Sequence, residues 1–133
     1  MIPHPIATLK AALRAHWLAR PDLAATLGDR ITETLPPGLG LPFLLMGEAL
    51  CREEPGGSEV ELTLWLVRAE EGTAGLLALL AALDAALAGG LPAGPHHRIV
   101  SARIAEARID HDPREGRSEA RLRLRAFLET PEE

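Results

Sequence analysis

A chain of 133 residues with a net charge of −5 has room for one domain, 1–133, with a real hydrophobic core. It lacks the basic excess by which proteins grip nucleic acid. Tyrosine is absent and Phe and Trp number two each, so the core is expected to be aliphatic. Cys51 is the single cysteine, which excludes an intrachain disulfide and a cysteine-based zinc site.

The N-terminal segment lacks the charged-then-apolar order of a signal peptide, and the longest apolar run, Leu76 to Leu83, is too short to span a bilayer. The protein is therefore expected to be soluble and not exported by a signal, with no membrane partner.

Along the chain, Pro5 to Ala19 reads as a helix, with Ile6, Leu9, Leu13 and Trp17 spaced by three and four on one stripe. Asp22 to Leu27 adds a further helical turn, and Arg30 to Glu33 a short extended piece. The loop from Leu35 to Pro42 holds three prolines and two glycines in eight residues. Phe43 to Arg52 then reads as a strand with Phe43, Leu45, Ala49 and Cys51 on one face. After the turn signal Pro55-Gly56-Gly57, residues Glu59 to Arg68 alternate strictly. Val60, Leu62, Leu64 and Leu66 stand on one face, opposed by Glu61, Thr63, Trp65 and Val67.

Glu70 to Ala88 carries a stripe of Leu76, Leu79, Leu80, Leu83 and Leu87, a second long helix. Thr73 is its expected N-cap, with Glu70 and Glu71 favourable to the helix dipole and Gly89-Gly90 a stop. Leu91 to Pro95 reads as a loop, and Pro131 with the acidic end as frayed chain. His97 to Ile109 and Ser118 to Glu129 form a second pair of strands, joined through Asp110 to Gly116. The last strand puts Ala120, Leu122, Leu124, Ala126 and Leu128 on one face and Arg121, Arg123, Arg125 and Phe127 on the other. The economical fold is α+β: two helices packed on one face of a mainly antiparallel β-sheet, in the order α-β-β-β-α-β-β.

Chemistry is sparse. Asp110-His111-Asp112 reads as turn chemistry rather than a metal site, because adjacent residues on a tight turn diverge. His96-His97 reads as a solvated strand end, although His97 and His111 could meet across the hairpin. There is no nucleophile motif, and Gly38-Leu39-Gly40 precedes a strand rather than a phosphate-binding helix. No catalytic, cofactor or metal residue is assigned.

The row Arg121, Arg123 and Arg125 is the constellation that stands out. Glu61, Glu106 and Glu119 could offset it across strands, leaving a solvated face. The alternative is a face that meets acidic groups of a partner or brushes nucleic acid. Arg103 and Arg108 can share that face only if their strand carries a bulge. Trp65, on the same open side, favours contact with something.

The segment order resembles the tail terminators, small tail-completion proteins of long-tailed phages and gene transfer agents. The resemblance is carried by Ile6 to Leu13, Pro21-Asp22-Leu23-Ala24-Ala25, Gly28-Asp29-Arg30-Ile31, the loop ending Leu41-Pro42-Phe43-Leu44-Leu45-Met46-Gly47, the strand Val60 to Trp65, and the Arg-rich strand Arg121 to Phe127.

It implies a structural protein at the head–tail junction of the particle. Six copies would form a ring on the finished tail tube, stop its polymerisation and join it to the head-completion (stopper) protein of the connector. Double-stranded DNA would pass through the hole without sequence-specific binding. No cofactor is implied. On this reading the candidate subunit or lumen contacts are Trp65, Arg121, Arg123, Arg125, Pro42 and Phe43. Two readings compete. One is a ferredoxin-like ligand-binding or regulatory module, which needs a pocket with convergent polar groups. The other is a small hydrolase using His111 or His97.

Overall fold

The computed structural model describes residues 3–36, 38–92 and 96–130. Expectations that touch Pro37, residues 93–95 and residues 131–133 lie outside these.

Helix α1, Pro5–Leu18, starts on a His4 cap whose Nδ1 accepts the Ile6 amide at 3.1 Å. Its stripe buries Leu9, Leu13 and Trp17. The Trp17 indole N–H donates to the Leu83 carbonyl at 3.1 Å, so a full aromatic is buried without an orphaned donor. A short helix α2, Pro21–Thr26, and a 3₁₀ turn at Gly28–Arg30 lead into strand β1, Ile31–Thr32.

Strand β2, Phe43–Glu54, pairs antiparallel with β3, Gly57–Ala69. Helix α3, Ala74–Leu87, follows, then β4, Arg98–Asp112, and β5, Arg117–Glu129. The sheet order is β1-β2-β3-β5-β4, antiparallel throughout except for the short parallel pair β1–β2. Asp110, His111 and Asp112 belong to the end of β4, so the turn itself is shorter than the sequence implies.

The expected α+β architecture is observed. Leu9, Leu13 and Trp17 of α1 share a core with Leu76, Leu79 and Leu83 of α3 and with Val60, Leu62, Leu64 and Leu66 of β3. Ala120, Leu122, Leu124, Ala126 and Leu128 of β5 complete the same face. Each leucine or valine of this set contributes about 1.5–3 kcal/mol on full burial, which is what holds the helix layer on the sheet.

Two sequence expectations are corrected. The face of β2 changes at a register shift between Met46 and Ala49. Leu44, Met46, Ala49 and Cys51 therefore stand opposite Leu66, Leu64, Leu62 and Val60 on the helix side. Phe43 and Leu45 stand on the other side, opposite Val67 and Trp65. Strict alternation misses this because a bulge adds one residue to one strand and reverses its parity.

The second correction is the cap of α3. Thr73 makes no side-chain bond there. The Glu70 carboxylate instead accepts the Gly75 amide at 2.9 Å and the Leu76 amide at 2.8 Å.

Candidate functional site: the open face of the sheet

Alternation, uninterrupted in β3 and β5 and shifted by the irregularities of β2 and β4, puts one half of each strand against the helices and the other half on a face that no described helix covers. Across that face the side chains fall in rows. Leu45, Trp65, Arg121 and Arg108 form one row, and Thr63, Arg123 and Glu106 the next. Leu50, Glu61, Arg125 and Arg103 form a third. The β2 side of the face is apolar and the β5–β4 side is basic.

Arg103 and Arg108 both reach this face because β4 slips its register between Ile99 and Ser101 and again between Ile104 and Glu106. This is the bulge the sequence required.

Trp65 lies half-buried between two neighbours. On one side the indole runs alongside Gly47 of β2, where a Cβ would make ordinary contact with its Nε1 at 3.5 Å. On the other, the Arg121 guanidinium carbon stands 5.1 Å from the ring centroid, a cation–π contact.

Arg125 pairs with Glu61 at 2.8 Å, and Arg123 with Glu106 at 3.2 Å. Glu119, the third expected partner, stands opposite Val67 and Asp110 and makes no ion pair among the described residues. Arg121 stands directly across from Arg108, and Arg103 from Arg125. Like charges placed so are destabilising by themselves. Arg103, Arg108 and Arg121 have no carboxylate within 4.0 Å among the described residues.

Phe43 and Val67 at one end of the face are buried yet lie outside the main core. Pro42 is half-buried beside them in sequence. The loop that delivers Pro42 is tied down by Arg30, which the sequence reading assigned no role. Its Nε donates to the Pro42 carbonyl at 2.8 Å and its Nη2 to the Thr26 carbonyl at 2.7 Å. A lone arginine in the Gly28-Asp29-Arg30 turn carries no sequence signal for such a task.

The histidines do not form a site. His97 and His111 are at opposite ends of β4 and do not meet. His97 is 6% exposed, not solvated as expected, and its Nδ1 lies 3.1 Å from the Thr8 hydroxyl. Burial first, then the charges of His96 and His4, hold its pKa below the ordinary 6.5. The His111 Nε2 accepts the Gly72 amide at 3.3 Å. Among the described residues no cluster of three His, Cys, Asp or Glu could hold a metal ion.

A groove of about 540 Å³ runs along the outer side of α1, lined by Ala7, Ala11, Ala15 and Ala19 with His16 and Thr8 among them. Both polar groups are already engaged, His16 with the Ala86 carbonyl and Thr8 with His97.

A family model described as "Tail completion protein gp17" matches residues 11–129. The chain belongs to the tail completion protein gp17 family. That family consists of structural proteins of the virion tail, and the resemblance read from the sequence is borne out at this level. A chain from the solved "Virion of native gene transfer agent (GTA) particle" matches with a TM-score of 0.77 and 23% identity, covering 96% of this chain and 99% of that one. At that identity the likeness is one of fold. A comparison with curated proteins finds no match.

Proposed function

We propose that this tail completion protein acts as a tail terminator: a ring, expected to be hexameric, that caps the tail tube and ends its polymerisation. Its other side joins the tail to the stopper protein of the head connector, and DNA passes through the hole. The role is structural rather than catalytic, played by the chain as one unit.

The observation that carries this reading is the open sheet face. It sets Trp65, under the Arg121 guanidinium, beside arginines that lack carboxylate partners among the described residues. Aromatic and arginine side chains in one patch are the composition of protein contact surfaces. Trp65, Arg121, Arg123 and Arg125, with Phe43 and Pro42 at the apolar end, are the proposed subunit or lumen contacts. The acidic charge of the whole chain suits a conduit through which DNA slides without being held.

Negative-stain imaging of tail tubes mixed with the purified protein tests this. Rings on one end of each tube, and tubes that no longer lengthen, are the expected outcome. Protein that stays monomeric and leaves both tube ends bare would overturn the reading.

A further inference from the structure

The sheet has two unfinished flanks. On one side, β1 pairs with β2 only at Leu44 and Leu45, so no described strand covers the outer edge of β2 from Met46 to Glu54. On the other side, β4 is the last strand along its whole length. Of the four large apolar side chains left most exposed among the described residues, three lie on these flanks. Leu50, 47% exposed, is on the free part of β2. Val100, 49% exposed, is on β4, and Leu77, 46% exposed, is on the side of α3 that borders β4.

Helix α3 is apolar all round, with Asp84 as its one charged residue. Such helices are ordinarily covered on all sides. Here Leu77, Leu80 and Ala81 instead line a groove of about 360 Å³ against Ile104 and Ala107 of β4.

The flanks are complementary in charge and in direction. Glu54 ends the free part of β2 in the same row as Arg98, which begins β4 and has Glu129 of its own copy 3.5 Å away. Through β3 and β5, β4 runs opposite to β2. A copy placed beside another in the same orientation therefore meets it as an antiparallel neighbour. The two register shifts in β4 bend this edge, and bulged edges resist indefinite strand pairing. A contact here is carried by side chains and can turn, as a closing ring requires.

We infer that the α3–β4 flank of one copy seats against the free part of β2 in the next, with Arg98 coming level with Glu54 and Ala102 level with Cys51. This rests on the ring reading and names its joint. It involves the open face only at its Leu50 and Arg103 margins and leaves Trp65 and Arg121 available to the tube and the lumen.

Cys51, the single cysteine, lies on the free part of β2 and is half-buried, which makes a direct test possible. Within one copy β2 and β4 are three strand spacings apart, roughly 14 Å, beyond disulfide reach. Any Cys51 bond to a cysteine placed on β4 must therefore join two copies. Val100→Cys and, separately, Ala102→Cys would be oxidised mildly after assembly and run on non-reducing gels.

The expected result is a ladder extending to the full ring in at least one variant, several-fold above the same variant also carrying Cys51→Ala. Assembled protein that gives no ladder in either variant overturns the inference while leaving the ring reading intact. So does a ladder that persists with Cys51→Ala, since that would mean β4 meets β4. A chain that stays monomeric even on tail tubes removes the ring reading and this joint with it.

Discussion

Trp65 is held on one side by a single residue of the neighbouring strand, Arg121, whose guanidinium carbon stands 5.1 Å from the ring centroid. A double-mutant cycle with Trp65→Ala and Arg121→Ala, followed by urea unfolding, should return a coupling of about 0.5–1 kcal/mol, the range for a partly exposed cation–π pair. Additive effects would show that the geometry contributes nothing. The residues of this face were legible because β3 and β5 alternate without interruption, so parity alone assigns Trp65 and the arginines to one side. Their partners were less so. Which glutamate meets which arginine depends on register, and Glu119 lost its expected role because its row holds Val67 and Asp110. Arg30 was illegible, since its work is to bond main-chain carbonyls brought near by the fold.

Helix α3 begins on a carboxylate borrowed from upstream. Glu70 takes the Gly75 and Leu76 amides and accepts the Ser118 hydroxyl at 3.0 Å, tying the helix start to the beginning of strand β5. The Leu76 amide foremost holds its carboxyl below the ordinary carboxylate value, against the opposing effect of burial. The Ser118 hydroxyl, the Gly75 amide and Arg68 act in the same direction as Leu76. Folding therefore favours the ionised form. The stability it contributes is present above the ordinary value and is lost as pH falls through the lowered native one. Glu70→Gln should lower the urea midpoint at neutral pH and flatten its acid decline, whereas Thr73→Ala should leave both nearly unchanged. Equal effects of the two substitutions would return the cap to Thr73. The leucine stripe located α3, though it starts at Ala74 rather than Glu70; Thr73 stands at the N-cap position without a side-chain bond, because the longer Glu70 side chain folds back from three residues earlier.

At the scale of the whole molecule, His97 links the start of β4 to α1 through Thr8, so the helix layer and the sheet share a buried neutral imidazole. With its pKa held below 6.5, the unfolded chain takes up a proton that the folded chain resists. Stability should fall as pH drops below 6.5 towards the native value. His97→Gln should reduce that slope, read as urea midpoints between pH 7.5 and 5. An unchanged slope would place the acid sensitivity elsewhere. The same scale governs assembly, since the charges, edges and exposed apolar residues that carry the proposed ring are spread over opposite flanks.

The sequence by itself determined the helix stripes, the alternating strands, the aliphatic core and the family, because each rests on local period or on segment order. Only the tertiary structure decided the strand order with β5 inside and β4 at the edge, the reversed face of β2 and the burial of His97. It also decided which arginines stand unpaired. The physical reason is common to all of these. Period tells which residues share a side, but register, bulges and edges arise from pairing between segments far apart in the chain, and one added residue reverses a face.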